Sequence, residues 1–176
     1  MDIESQEARR CLTALSQIDF ELAYLAALTA QGVKPLSRWE KPLADHALRQ
    51  LGGLGLVVEQ VRRTVQTGKE VIETIFSLAP GQIDLYKQRF DNTAIDKSAE
   101  TQRFEGFLFG YPPCCIEQYI LHPYTPNGLP EEDQKILFHW ACKDCRTTPT
   151  LLPAYRAVYK WLEDRHHPPG TSAGGG

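Results

Sequence analysis

Apolar residues recur at three- and four-residue steps from the start of the chain: Ala8, Cys11, Leu12, Leu15, Ile18, Leu22, Leu25 and Leu28. That stripe predicts one long amphipathic helix over residues 5–31. Ser5 suits its N-cap and Gly32 its stop. Pro35 and Pro42 then punctuate a short turn, and a second helix is predicted over 43–51, ended by Gly52-Gly53. After Gly55 the pattern changes. β-branched residues crowd 56–66 and return over 70–76, with Thr67-Gly68 between them, which predicts a β-hairpin at about residues 56–78. A two-residue turn there would set Arg62 opposite Glu73, a favourable cross-strand pair, but neither face is then cleanly apolar, so register and depth of burial stay open.

Helical spacing returns with Ile83, Tyr86 and Phe90. A polar stretch over 91–100 leads into a helical segment carrying Phe104, Phe107 and Leu108, which Gly110-Tyr111-Pro112-Pro113 ends. Three further helices are predicted over 114–121, 131–145 and 151–165, with a Pro/Gly/Asn-rich loop at 122–130. Residues 166–176 read as a disordered tail. The fold class is α+β, a mainly helical single domain over 1–165 with one β-hairpin. Its C-terminal half, 104–165, is rich in cysteine.

Composition narrows the class. With 176 residues, 42% hydrophobic and 23% charged, the chain can bury a core and is not disordered. No apolar run approaches the roughly 20 residues of a membrane span. Asp2, Glu4 and Glu7 open the chain where a signal peptide has a basic segment, so the expected setting is cytoplasmic, without a membrane partner. A net charge of -3 argues against wholesale wrapping of nucleic acid. Locally, seven basic residues between Lys34 and Lys69 face three acidic ones. Such a stretch is ordinarily a solvated face.

The cysteines carry the chemical signal. Cys11 lies on the apolar stripe and reads as a buried, inert thiol. The other four form two pairs, Cys114-Cys115 and Cys142-Lys143-Asp144-Cys145, and His139 precedes the second to give His-x2-Cys-x2-Cys. On a helix, residues three apart share a face, so His139, Cys142 and Cys145 would form a ladder along the 131–145 helix. A Cys-x2-Cys pair is half of a tetrahedral zinc site. One thiolate from Cys114 or Cys115 completes a site of three cysteines and a histidine; both together complete an all-cysteine site. The start of a helix at Cys114 also favours the thiolate form. Zinc is the expected cofactor, an iron–sulfur cluster the alternative, since spacing does not separate them. Tyr111, Glu117 and Asn127 are candidates for the pocket or for support behind the ligands.

The run Leu108-Phe109-Gly110-Tyr111-Pro112-Pro113-Cys114-Cys115-Ile116, followed by His139-Trp140-Ala141-Cys142-Lys143-Asp144-Cys145, resembles a family of prokaryotic, largely archaeal, domains of unknown function. These carry Gly-(Tyr/Phe)-Pro-x-Cys-Cys and then a His/Cys segment. The resemblance covers roughly residues 70–160, and Pro-x-Cys-Cys is its most specific part. It implies that Cys114, Cys115, Cys142 and Cys145 belong to one site, and it supplies no reaction.

Three functions follow as expectations. The first is a small metal-binding protein whose loop 124–128 grips a small-molecule or protein partner. The second is a DNA-binding regulator, in which helix 43–51 and the hairpin have the order of a recognition helix and wing, with the cysteines as metal or redox sensor. The third is metal-free thiol redox chemistry at the same cysteines.

Overall fold

The computed structural model describes residues 3–166. The chain runs α1 (Gln6–Ile18), α2 (Phe20–Ala30), β1 (Ser37–Trp39), α3 (Asp45–Gly53), β2 (Val57–Thr64), β3 (Glu70–Ser77), α4 (Pro80–Phe90), β4 (Thr93–Ala94), α5 (Ala99–Leu108), α6 (Pro113–Leu121), α7 (Glu131–Ile136) and α8 (Thr148–His166). This is an α+β fold, with the predicted hairpin formed by β2 and β3. The predicted tail lies outside the described residues, apart from His166, which closes α8.

The long N-terminal helix is instead two helices. Asp19 is extended, at φ -162° and ψ 126°, and its carboxylate accepts from the Glu21 N–H at 2.9 Å, capping α2. A short carboxylate that competes for backbone donors breaks the helix there. The apolar stripe continues across the break, so periodicity alone does not reveal it. After the break α2 runs through the centre of the larger core, and every residue from Leu22 to Ala30 is buried. The end of α2 is as predicted. Gly32 sits at φ 71°, and the Gly32 and Val33 N–H groups donate to Thr29 and Leu28 carbonyls in a Schellman turn.

The sheet order is β1-β3-β2-β4, antiparallel except for β2 against β4. Its hairpin turns through three residues, 66–68. The Val65 N–H donates to Lys69 O, and Gly68 takes φ 80°. The register is therefore one residue from that of a two-residue turn: Arg62 faces Ile72, and Val61 faces Glu73. A one-residue slip exchanges the faces of a strand. Arg63 is turned inward, 1% exposed, and Arg62 outward.

Both edges of the sheet are short. Opposite β1, the segment 91–95 lies along β2: the Arg62 N–H donates to Asp91 Oδ1, and Arg62 O and Thr64 O accept from Asn92 and Ile95. A second, smaller core joins the sheet to α4 and α5 through Leu36, Val61, Ile75, Tyr86, Phe90 and Leu108. No described helix is long and apolar enough to cross a membrane.

Candidate metal centre

The Gly-Tyr-Pro-Pro-Cys-Cys run is a helix stop followed at once by a helix start. Gly110 ends α5 at φ 74°, and Gly110 and Tyr111 donate to Phe107 and Gly106 carbonyls, a second Schellman turn. A Cβ on Gly110 would stand 2.6 Å from Pro35 Cδ, so the turn also needs glycine for space. Pro112 then precedes α6 and Pro113 opens it, where a missing N–H costs nothing. Cys114 and Cys115 thus occupy the first turn of α6. Behind them α5 and α6 pack so closely that a Cβ on Gly106 would lie 2.6 Å from Ile116 Cδ1.

The second pair comes from irregular backbone. The predicted helix 131–145 stops at Ile136. Side-chain amides replace its next turns: Gln134 donates to His139 O at 2.9 Å and accepts from the Ala141 N–H, and Asn127 donates to Ala141 O at 3.0 Å. Trp140 Nε1 donates to Thr125 O at 2.7 Å. The ladder of His139, Cys142 and Cys145 on one helix face therefore does not exist. Cys142 and Cys145 instead flank a tight turn, with Asp144 at φ 56° and the Cys145 N–H donating to Cys142 O.

The four cysteines of the two pairs nonetheless meet. Their sulfurs all lie within 4.8 Å of one another. Cys145 Sγ is 3.7 Å from Cys114 Sγ and 3.5 Å from Cys115 Sγ. Such a group can hold a metal ion. Cys115 is buried, Cys142 and Cys145 are half-buried, and Cys114 is exposed. Backbone N–H groups donate to two of the sulfurs: Cys142 N to Cys115 Sγ and Thr148 N to Cys145 Sγ, both at 3.3 Å. The first turns of α6 and α8 both adjoin the cluster, and their positive ends favour thiolates. Burial pushes the Cys115 thiol up to about 11 and raises Cys142 further. Burial also opposes ionisation of Cys145, but hydrogen bonds from Thr148, Cys115 and the Thr147 backbone outweigh it and bring that thiol down to about 6.

Of the other predicted residues, His139 lies outside the four-sulfur group. Its Nε2 is 3.0 Å from Thr148 Oγ1, its ring stacks on Tyr111 at 5.3 Å, and its buried Nδ1 has no partner among the described residues. Burial, and the charge of Lys34, bring its pKa down to about 4. Glu117 turns away from the cluster into a two-point pair with Arg103 on α5, at 2.6 and 2.7 Å. Asn127 holds the loop, as described. Cys11 is buried on α1, far from these cysteines in the chain and outside their group.

Two features were not expected from the sequence. Thr148 is fully buried, and its hydroxyl touches Cys115 Sγ at 3.5 Å, Cys145 Sγ at 3.2 Å and His139. A threonine three residues beyond Cys-x2-Cys, where a helix restarts, is the only trace of it in the sequence. The other is a buried ion network. Arg63 reaches Glu105 at 3.0 Å and Glu73 at 3.8 Å, while Arg38 reaches Glu105 at 2.6 Å. It follows from the hairpin register, which the sequence pattern does not fix.

Between the cluster and this network lies a cavity of about 1030 Å³. Cys115, His139 and Trp140 wall one part of it, Arg38 and Glu105 another, and Tyr124, Pro126, Asn127 and Gly128 of the predicted gripping loop a third. The chain matches no protein-family model, no curated protein and no solved structure.

Proposed function

We propose that this protein binds one Zn²⁺ through the thiolates of Cys114, Cys115, Cys142 and Cys145, and that the ion fastens segment 137–147 as a wall of a small-molecule cavity. The carrying observation is the distance among the four sulfurs, all within 4.8 Å. Tetrahedral zinc with Zn–S of about 2.3 Å sets its sulfurs about 3.8 Å apart. An iron–sulfur cluster divides its four cysteines over two or four irons and so sets some of their sulfurs more widely apart, which disfavours it here. Four thiolates close the coordination shell, so the ion's role is structural. His139 then acts one step behind the ligands, through Thr148, and is not a ligand. The resemblance to the Pro-x-Cys-Cys domains supports the same grouping of cysteines.

The test is metal and acid-labile sulfide content after anaerobic purification, with a Cys142→Ser/Cys145→Ser double variant beside it. The expected result is about one zinc per chain, lost in the variant. Iron with sulfide would replace zinc by a cluster, and no metal in the wild type would overturn the reading.

One observation favours a second reading, thiol–disulfide exchange. Cys145, with its lowered pKa, sits 3.5 Å from Cys115 Sγ, the arrangement of an attacking thiolate and its partner. Oxidation by glutathione disulfide, followed by mapping of a Cys115–Cys145 bond, tests it. The DNA-binding reading finds less support. No helix stands between β1 and α3 to make the first half of a helix-turn-helix, and Lys34 and Arg63 of the basic stretch are buried.

A further inference from the structure

Lys34 lies apart from the cysteine cluster and belongs to none of the ion networks. It follows the turn that ends α2 and is 2% exposed. Three rings surround its amine, with centroids 4.7 Å (Tyr111), 5.4 Å (Phe138) and 5.8 Å (Phe109) away. Among the described residues the amine makes one hydrogen bond, to the Phe109 carbonyl at 3.1 Å, and enters no ion pair. The ring faces attract a cation, but one carbonyl meets only one of an ammonium's three N–H groups and no carboxylate pairs with it, so the loss of water favours the uncharged amine. Burial accordingly brings its pKa down to about 7. Lys34 also borders a second cavity of about 350 Å³, with Leu25, Trp39 and the three rings as walls and the exposed Glu21, Glu40 and Lys41 nearest solvent.

We propose that Lys34 is a reactive amine that captures a small, apolar-bodied aldehyde in this cavity as an imine. A buried lysine with no carboxylate to hold its proton is the form of amine that attacks carbonyls near neutral pH. The ring walls suit an aromatic or aliphatic body with a single polar atom. In the step, the Lys34 nitrogen lone pair forms a bond to the carbonyl carbon. The carbonyl π pair moves to oxygen, which takes up a proton shed by the nitrogen. The resulting carbinolamine loses its hydroxyl and the remaining nitrogen proton as water, leaving the carbon–nitrogen double bond. Atoms and charge balance without a further reactant.

The full-length protein, as purified, is incubated at neutral pH with benzaldehyde and sodium cyanoborohydride. The borohydride reduces any imine to a stable benzylamine, and peptide mass mapping reads the occupancy of each lysine. Lys34 is expected to be modified at least about tenfold faster than the exposed Lys41 and Lys143. Modification of Lys34 at their rate or slower overturns the proposal. Lys34→Met, which removes the nucleophile and like the free amine carries no charge, should lose the fast phase alone; a fast phase that survives also overturns it. Metal content measured on the same samples keeps this outcome separate from that of the zinc reading.

Discussion

Thr148 Oγ1 lies 3.0 Å from His139 Nε2, and this contact ties the aromatic wall of the large cavity to the cysteine cluster. The same hydroxyl is the only hydrogen-bond partner of the imidazole among the described residues, since Nδ1 has none. Thr148→Ala would leave both ring nitrogens buried without a partner. The expected cost is about 1–3 kcal/mol, with most of it recovered by Thr148→Ser. Chemical denaturation of the two variants checks it, and equal losses would remove the hydroxyl from the explanation.

Removal of the proposed zinc ion with a strong chelator should act locally. Amide hydrogen exchange is expected to rise over 137–147 and in the first turns of α6 and α8, while the β2–β3 hairpin keeps its protection. The melting temperature should fall with it. Unchanged exchange at 137–147 would mean that Gln134 and Asn127 suffice to hold the segment.

Gly110→Ala combines a left-handed backbone with a Cβ 2.6 Å from Pro35 Cδ. A non-glycine residue in that region costs about 1 kcal/mol or more before any clash. The variant should lose about 2 kcal/mol or more and, because this turn aims α6, bind metal less tightly. A melting curve and a zinc competition titration read the two effects. Loss of stability with unaltered metal affinity would separate the turn from the site.

Lys34 should leave a mark on the pH dependence of stability. Its folded pKa is lowered to about 7 from 10.5, so between those values the unfolded chain holds the proton more tightly. Stability then rises with pH across that window, and the penalty is complete below it. Lys34→Met removes the slope. Denaturation midpoints of both proteins from pH 7 to 10.5 measure it, and parallel curves would contradict the assignment.

What the sequence disclosed was local. Gly32 and the Gly110–Pro113 run could be placed because a stop glycine or an N1 proline acts within one turn of backbone. The two cysteine pairs were legible because the chemistry of thiols is independent of the fold. The break at Asp19 was hidden because the apolar stripe runs through it. The hairpin register was hidden too, since three turn residues in place of two leave the composition of both strands unchanged yet bury Arg63 and free Arg62. The helical ladder at His139 failed for a tertiary reason: Gln134 and Asn127 offer the backbone of 139–141 better partners than its own next turn. Thr148 was invisible because its role depends on a residue nine positions away folding back onto it.

The sheet carries one more consequence, in how this protein meets copies of itself. Its long strands, β2 and β3, are both interior, and the outermost strands are three and two residues long. An open edge is a template on which another chain can polymerise, and short edges offer little of one. On the β2 side that protection rests on 91–95, with Asp91 and Asn92 occupying the donor and acceptor of Arg62. Loosening of this five-residue strip would free the edge groups of residues 62–64 and open a place where the strand of another copy can add.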